Sequence, residues 1–329
     1  MPPLRIGVLG AARITPAALI RPARAVQGVE VAVVAARDQR RASAFAARHG
    51  VPRVAGSYQQ LVEDVDIDAV YNPLPNGLHG RWTCAALAAG KHVLCEKPFT
   101  ANAEEARAVA SAASRAGVVV VEAFHYRYHP LFARVRQLLD DGAVGTVRRV
   151  DTWVCFPLFQ RGDIRWQLPL AGGAAMDAGC YALHMARHLV GEEPDVTGAR
   201  AWLRAPQVDR AMQADLRFPG GVVGRATCSM WSARLLHVAV SVHGDTGRLH
   251  VLNPLAPNIY SRIAVRGSSG RRVEHPSRRP TYTFQLEAFR DAVQGGAPVP
   301  TDAADAVANM ALIDAAYTSA GLDIRQPTA

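Results

Sequence analysis

Lysine is scarce in this chain, so each lysine is a candidate for chemistry that arginine cannot perform. Only Lys91 and Lys97 are lysines among 37 basic residues. Arginine stays protonated at any working pH, whereas the pKa of a lysine ammonium can fall far enough for proton exchange. Lys97 lies between Glu96 and Pro98 at the end of a short apolar run, a position that favours a functional site. A solvated surface lysine is the alternative for either residue.

A carboxylate and a phenol occur four residues apart in a predicted helix over 174–189. The spacing places Asp177 and Tyr181 on one helix face. Loss of hydride from an alcohol requires a base for the hydroxyl proton, and reduction of a carbonyl requires an acid. A free phenol titrates near ~10, and a nearby ammonium stabilises the phenolate. We therefore predict that Tyr181 transfers a proton, that Lys97 lowers its pKa and orients the substrate oxygen, and that Asp177 holds a substrate hydroxyl or Lys97. A packed aromatic is the alternative for Tyr181.

The first predicted strand leads into a turn that is typical of phosphate binding. In G-x-G-x-x-G the glycines allow a tight turn and close approach of the backbone to pyrophosphate, in front of a helix N-terminus. Here Gly10 supplies the first glycine, Ala12 occupies the second position and Thr15 the third. Because the match is incomplete, an ordinary strand–helix turn is the alternative.

Basic side chains follow the second predicted strand. An NAD site usually has an acidic residue there for the ribose 2′-hydroxyl, whereas an NADP site needs arginine for the 2′-phosphate. Arg37 and Arg41 could form such a clamp, and Ala36 leaves room for it. Asp38 favours the opposite choice, because it could bind a ribose hydroxyl. The sequence predicts NADP(H) over NAD(H), with solvated arginines at a helix start as the alternative.

The elements that must position these residues alternate regularly as far as about residue 122. The predicted strands are Leu4–Leu9, Val29–Ala35, Ala69–Tyr71, His92–Cys95 and Val118–Val121. The predicted helices are Pro16–Val26, Arg40–Arg48, His79–Ala89 and Asn102–Arg115. Repeated β-α-β units with continuous apolar strands predict an α/β fold, a Rossmann doubly wound parallel sheet.

The chain from about residue 147 predicts an α+β domain with an open, mostly antiparallel sheet. After the helix over 174–189, alternating strands are predicted at 211–218, 222–230 and 236–243. We expect an NADP-binding domain at 1–123 and a substrate-binding and oligomerisation domain at 124–329. Two closing helices, 282–294 and 303–320, are expected to pack back on the first domain.

Composition argues against several classes of protein. The net charge is +9, but the arginines are scattered, and the densest stretch, 270–280, lacks aromatics for stacking bases, so no nucleic acid is expected. No run approaches 18 apolar residues, and no signal peptide is recognisable, so we expect a cytoplasmic protein without membrane contact. The five cysteines fit no disulfide framework or zinc site. The pairs His184/His188 and His125/His129 lack a third ligand, so no metal is expected.

An ordered series of motifs resembles the glucose-fructose oxidoreductase / inositol dehydrogenase family (Gfo/Idh/MocA). The matching segments are 10–14, 75–79, 90–93, 96–98, 122–130, 172–181, 244–247, 284–289 and 309–310, so the likeness covers nearly the whole chain. The resemblance implies a lysine of Glu-Lys-Pro beside the nicotinamide and the substrate hydroxyl, with proton exchange by a residue on the substrate-domain helix. The cofactor-binding residues expected are Gly10, Ala11, Ala12, Arg13, Ile14, Arg37, Arg41, Leu74, Asn76, His79, Glu96, Lys97 and Arg127.

One position departs from the inositol dehydrogenase pattern. Many members have Asp and His four apart on the catalytic helix, where this chain has Asp177 and Tyr181. That is more similar to glucose-fructose oxidoreductase, dimeric dihydrodiol dehydrogenase and NADP-dependent xylose dehydrogenase, and to some deoxysugar 3-ketoreductases. The resemblance implies a carbohydrate or cyclic diol substrate, with a nucleotide-activated deoxysugar ketoreductase as runner-up. Arg165, Trp166 and His184 are expected near the substrate.

Two further expectations concern assembly and class. An open sheet needs its other face covered, and pairing with a second subunit is the family-like solution, so a homodimer or homotetramer is expected. The alternative from another class is a catalytically silent nucleotide-binding regulator. Such a protein would tolerate loss of Lys97 or Tyr181, and the chain retains both.

Overall fold

In the computed structural model, which describes residues 2–268 and 270–329, the N-terminal apolar runs form a parallel sheet. Its strands are β1 (Leu4–Leu9), β2 (Val29–Ala35), β3 (Arg53–Val54), β4 (Ala69–Asn72), β5 (His92–Cys95) and β6 (Val120–Glu122). The order is β3-β2-β1-β4-β5-β6, and all pairs are parallel. This is the strand order of dinucleotide-binding folds, and it confirms the predicted fold class.

Helices connect the strands of this sheet. A π-helical turn, Pro16–Ile20, leads into α1 (Arg21–Ala25); α2 (Gln39–His49), α3 (Tyr58–Val62), α4 (His79–Ala88) and α5 (Ala103–Ala116) follow. Local chemistry sets the ends of α5. The Asn102 side chain accepts a hydrogen bond from the Glu105 backbone N–H at its start, and Gly117 ends it in the left-handed region, with φ of 64°. Sequence analysis had predicted neither β3 nor α3.

The second sheet has eight strands and is mostly antiparallel, as predicted. They are β7 (Val147–Cys155), β8 (Asp195–Ala205), β9 (Val208–Arg217), β10 (Val223–Ser229), β11 (His237–Gly244), β12 (Arg248–Leu252), β13 (Arg262–Gly267) and β14 (Gly270–Glu274). The order is β14-β13-β12-β11-β7-β10-β9-β8, and within the described part of this second sheet β7–β10 is parallel while the other pairs are antiparallel.

Helix α6 (Pro130–Asp140) precedes this sheet in the chain, and α7 (Cys180–Val190) packs on one of its faces. The Thr152 hydroxyl on β7 donates to the carbonyl oxygen of Ala182 on α7 at 2.9 Å. Because side chains alternate along a strand, Arg149, Asp151 and Trp153 lie on the opposite face. That uncovered face contains a cavity of about 490 Å³ lined by these three residues and by Trp202, among others.

The chain crosses between two units more than once. The first comprises the residues up to Tyr128 together with Tyr282–Val307, and the second comprises His129–Thr281 and Ala308–Thr328. Helix α8 (Thr281–Gly295) therefore belongs almost entirely to the first unit, while α9 (Ala303–Ser319) begins in the first and continues in the second. The first unit extends five residues beyond the sequence boundary at 123. No helix in the described ranges is long and apolar enough to span a bilayer.

Candidate active site

The turn after β1 forms a cradle that only glycine permits. Gly10 has φ of 87°, in the left-handed region, and its N–H donates to the Ala35 carbonyl at 2.7 Å. A Cβ atom built on Gly10 would lie 3.1 Å from Cδ2 of Leu74. Thr15, at the third glycine position, is fully buried, as close strand–helix packing requires. These features fit a dinucleotide, because its pyrophosphate needs close backbone approach at this point. Ala11 and Ala12 continue the turn, and Arg13 and Ile14 are exposed beside it.

The two predicted clamp arginines lie next to this turn. Both are exposed, and Nη2 of Arg41 donates to the Ala11 carbonyl at 3.0 Å, which ties the guanidinium to the glycine turn. Oδ1 of Asp38 accepts from the backbone N–H groups of Arg40 and Arg41, at 2.8 and 3.3 Å. Asp38 is therefore the N-cap of α2. This capping role explains an acidic residue at position 38 without a contact to the ribose.

Tyr58 on α3 lies against the same arginines, and sequence reasoning did not identify it. Burial raises the pKa of its phenol, while a hydrogen bond from the Arg37 backbone and the charges of Arg37 and Arg41 oppose that rise. Its ring meets Trp82 edge-on, with centroids 5.0 Å apart. Tyr58 could not be recognised from the sequence because helix α3, which carries it, is not predicted.

The structure separates the roles of the two lysines. Lys91 is buried, and its Nζ donates to the carbonyl oxygens of Asp64 and Ile67, both at 2.8 Å. It therefore joins the end of the loop before β4 to the start of β5 and is a structural residue. Lys97 directly follows Glu96 beyond the carboxyl end of β5, where doubly wound sheets place ligands. Lys97, and not Lys91, is therefore the candidate lysine for chemistry.

Buried polar groups surround Lys97 within the first unit. The Tyr71 hydroxyl donates to Oε1 of Glu96 at 2.6 Å. Burial, reinforced by the charge of Lys97, lowers the pKa of His125 to about 3, so this imidazole is neutral. Its ring packs on Tyr282, with centroids 4.1 Å apart. A neutral histidine adds no positive charge beside the Lys97 ammonium.

His79 connects two segments of the predicted cofactor site. Its Nδ1 is 2.7 Å from the Pro98 carbonyl oxygen, and its Nε2 is 2.7 Å from that of Leu74. Burial lowers its pKa to about 4, although both carbonyls favour the protonated ring. Since protein carbonyls face both nitrogens, His79 shapes the site by holding Leu74 against the segment after Lys97. The other predicted contacts lie in short 3₁₀ turns: Asn76 in Asn76–Leu78 and Arg127 in His125–Tyr128.

In the second unit the structure brings together three predicted residues. Asp177 lies in a π-helical turn, Ala175–Gly179, that leads directly into α7, and Tyr181 lies in the first turn of that helix. Nε of Arg165 is 3.0 Å from Oδ2 of Asp177. The charges of Asp177 and Asp163 raise the pKa of Arg165, and so does Tyr181, while burial opposes the rise. Asp177 thus has a cationic partner that sequence analysis had not assigned to it.

The remaining predicted substrate residues are more enclosed. Trp166 is buried, its Nε1 donates to the Gln160 carbonyl at 3.2 Å, and the Arg204 guanidinium lies 4.5 Å from the centre of its ring. His184 is fully buried in α7, with its ring centroid 4.3 Å from that of His188. Arg165 is the predicted substrate residue whose direct contact with Asp177 the structure shows.

Comparison with known proteins identifies both halves of the chain. Residues 4–124 match the Gfo/Idh/MocA oxidoreductase family model for an NAD-binding Rossmann fold, and residues 132–250 match the model of the family's C-terminal domain. The chain is 38% identical over 320 residues to D-xylose 1-dehydrogenase (NADP(+)) 2 of Haloferax volcanii, covering 96% of this chain and 97% of that protein. It is 38% identical over 264 residues to the dTDP-3,4-didehydro-2,6-dideoxy-alpha-D-glucose 3-reductase of Streptomyces antibioticus, covering 78% and 77%.

A solved structure is similar over the whole chain. The 3-ketoreductase of Actinomadura kijaniata, in complex with NADP and TDP-benzene, has a TM-score of 0.91 at 31% identity and covers 98% of this chain and 99% of its own. That reductase has also been solved with a tyrosine replaced by phenylalanine and with a lysine replaced by alanine. Family models and relatives therefore agree with the glycine turn and the strand order: the chain belongs to the Gfo/Idh/MocA family of oxidoreductases, and its first domain is the family's NAD-binding Rossmann fold.

Proposed function

We propose that the chain is an NADP(H)-dependent oxidoreductase acting on a secondary alcohol, lactol or ketone of a sugar or cyclic diol. The observation that carries the proposal is the grouping of Arg165, Asp177 and Tyr181 at the start of α7. A phenol beside a guanidinium–carboxylate pair is a suitable acid or base for a sugar hydroxyl. An NADP-dependent xylose dehydrogenase that matches nearly the whole chain supports the same reaction class.

In this proposal Tyr181 and Lys97 form the proton-transfer pair. The nicotinamide, when bound, supplies or accepts the hydride. In the oxidative direction the Tyr181 phenolate takes the hydroxyl proton, and in the reductive direction the phenol returns a proton to the carbonyl oxygen. The Lys97 ammonium donates a hydrogen bond to that oxygen and stabilises the phenolate. The attraction between Arg165 and Tyr181 favours the phenolate as well. Asp177 holds Arg165 and, with its remaining acceptor capacity, a substrate hydroxyl.

The choice of NADP(H) rests on the clamp. Arg37 forms no ion pair in the described part of the chain, and Arg41 is held on the glycine turn by its bond to Ala11. Two guanidinium groups beside the end of β2 suit a 2′-phosphate. Because Asp38 caps α2, it does not need a ribose hydroxyl to explain its presence.

Titration of NADPH and NADH by fluorescence tests the clamp. We expect Arg37→Ala to weaken NADPH binding by about 1 to 3 kcal/mol, typical of a lost charged hydrogen bond, with little effect on NADH. Arg40→Ala is the matched control, because Arg40 is also an exposed arginine, lies in the first turn of α2 and contacts Asp38 through its backbone N–H. Equal binding of both nucleotides by wild type and by Arg37→Ala would refute the assignment.

A nucleotide-activated deoxysugar 3-ketoreductase is the second candidate. The whole-chain similarity to the ketoreductase that binds NADP and TDP-benzene favours it. A comparison of turnover with free pentoses and hexoses against that with dTDP-ketosugars separates the two. Turnover confined to the dTDP-linked compounds would select the second candidate.

We also propose that the chain forms a homodimer or homotetramer through the uncovered face of its second sheet. That face carries Trp153 and Trp202 around the 490 Å³ cavity, and α7 already covers the other face. Sedimentation equilibrium tests this: Trp153→Glu should shift the protein to monomers, and a monomeric wild type would refute it. A cytoplasmic location is proposed with it, since all five cysteines are free thiols in the structure.

A further inference from the structure

A fully buried ion pair lies behind the Asp177 turn in the second unit. Nη2 of Arg325 is 3.1 Å from Oδ1 of Asp209, and neither side chain is exposed. The Tyr317 hydroxyl donates to the same carboxylate oxygen at 3.0 Å, and the Arg325 guanidinium stacks 4.0 Å from the centre of the Tyr317 ring. Burying two charges is costly unless hydrogen bonds satisfy them, so such a group calls for an explanation.

Arg325 belongs to the C-terminal tail, which follows α9 without helix or strand. Besides Asp209, its guanidinium donates to three backbone carbonyls: Nε to Gly172 at 2.9 Å, Nη2 to Gln207 at 2.7 Å and Nη1 to Asp323 at 3.0 Å. A guanidinium carries five N–H donors in a planar arrangement, and a lysine could not make this set of contacts. Arg325 therefore fastens the tail to the loop before the Asp177 turn.

Asp209 extends this connection to the acid–base face. Its Oδ2 accepts from the backbone N–H of Ala175 at 2.7 Å, and Ala175 is the first residue of the π-helical turn that contains Asp177. Helix starts leave such N–H groups without partners inside the helix. Because the carboxylate holds this one, the position of Asp209 sets where the turn begins.

A second path runs through the two glycines before the turn. Arg325 holds the carbonyl of Gly172, and the next N–H, of Gly173, donates to the Arg165 carbonyl at 2.9 Å. The Gly173 carbonyl accepts from the Asp177 N–H at 3.1 Å. Both members of the Arg165–Asp177 pair are therefore bonded to a segment that the tail fixes.

Packing around Gly173 shows how closely the parts fit. Its φ is 140°, and a Cβ atom there would collide with the Asp209 carboxylate and lie 2.6 Å from the Tyr317 hydroxyl. The glycine segment can therefore approach the ion pair this closely only without a side chain. Movement of Arg325 or Asp209 would be transmitted directly to Gly172, Gly173 and Ala175.

We propose that Arg325 and Asp209 are positioning residues for proton transfer, and that the C-terminal tail is thereby a working part of the active site. Both side chains are fully buried, so we expect them to contact neither substrate nor cofactor. They act by fixing the start of the helix that carries Asp177 and Tyr181. The proposal deepens the proposed function and rests on it for its kinetic consequence.

Arg325→Met tests the proposal, with Arg187→Met as the matched control. Arg187 is also a buried arginine of the second unit, and it pairs with Glu193 near the opposite end of α7. We expect Arg325→Met to lower kcat about 10²-fold, as an error of about 1 Å in placing a catalytic group does. The KM for NADPH should stay within about twofold of wild type, because uniform binding is not involved. Arg187→Met should lose stability while kcat is retained.

Hydrogen–deuterium exchange supplies a readout that does not depend on turnover. Amides of residues 172–181 should exchange faster in Arg325→Met than in wild type and remain protected in Arg187→Met. If Arg325→Met does not fold because Asp209 is left as an unpaired buried charge, Asp209→Asn combined with Arg325→Met removes that charge and also the tether. The double variant should show the same loss of kcat and protection.

Two results would overturn the positioning role. One is a folded Arg325→Met, or double variant, with wild-type kcat and wild-type exchange over residues 172–181. The other is an equal fall of kcat in both arginine variants, which would show a general loss of stability. If wild-type protein turned over no alcohol or ketone, the proposed function would fail, and the exchange experiment alone would still decide whether the tail holds the turn.

Discussion

Tyr181→Phe removes a single oxygen atom from a side chain that is 7% exposed and leaves its ring in the first turn of α7. The Arg165–Asp177 ion pair stays complete, with its 3.0 Å contact, so the substitution leaves no charge unpaired. We therefore expect the free energy of unfolding to change by about 1 kcal/mol or less. If Tyr181 transfers the proton as proposed, the reaction loses its acid and base, and kcat should fall about 10²- to 10⁴-fold. That corresponds to roughly 3 to 5 kcal/mol in the activation barrier.

The assay follows NADPH absorbance with a panel of sugars, cyclic diols and their ketones, beside fluorescence titration of NADPH. Tyr260→Phe is the control, because Tyr260 lies in the same unit and is half-exposed. NADPH binding should be equal in all three proteins. Full turnover by Tyr181→Phe with normal cofactor binding would show that another group moves the proton.

Three further perturbations have defined outcomes. Lys91→Met leaves two buried carbonyl oxygens without their hydrogen-bond donor, so the free energy of unfolding measured in urea should fall by about 2 kcal/mol while kcat is retained. Lys97→Met should instead abolish turnover at nearly wild-type stability. The reverse pattern would exchange the two roles. Gly10→Ala places an alanine in the left-handed region against Leu74, at a backbone cost of about 1–2 kcal/mol. The substitution should also weaken NADPH binding, by more than this backbone cost. Gly90→Ala is its control, with φ of 71° and open space around a Cβ, and equal effects on NADPH titration would contradict the cradle. Burial holds the folded pKa of His79 at about 4, below the unfolded value near 6.5, so the unfolded state binds more protons between these values. Stability should therefore fall as pH drops from about 6.5 to about 4, by less in His79→Gln, and urea midpoints that do not change over this range would refute it.

Local sequence patterns were sufficient for most of the first sheet. Mostly apolar runs such as Leu4–Leu9, in which Arg5 is the charged residue, indicate strands because parallel strands are buried on both faces. β3 has only two residues, Arg53 and Val54, and no periodicity can reveal so short a strand. Helix α3 has five residues, two of them glutamines, and it was missed for the same reason. Missing α3 also hid Tyr58 beside the clamp.

The contacts that complete the candidate site are long-range, and they leave no local signal. Asp177 and Tyr181 could be paired from their spacing, but the salt bridge of Asp177 with Arg165 depends on how the Gly172 loop folds back. Arg325 is one of many arginines, and its sequence neighbours give no sign of complete burial. The assignment of residues 282–307 to the first unit likewise depends on packing between segments far apart in the chain.

The capping role of Asp38 affects how cofactor preference could evolve in this chain. A reversal of preference toward NADH by changes at the end of β2 would ordinarily recruit an acidic side chain there, and Asp38 is already in place. Its Oδ1, however, holds the first turn of α2, and withdrawing an N-cap costs about 1 kcal/mol. Lineages that switch cofactor should therefore first replace Arg37, which has no such structural duty in its side chain, and keep Asp38 unchanged. A substitution at Asp38 would change both cofactor selectivity and the stability of α2, whereas a substitution at Arg37 would change selectivity alone.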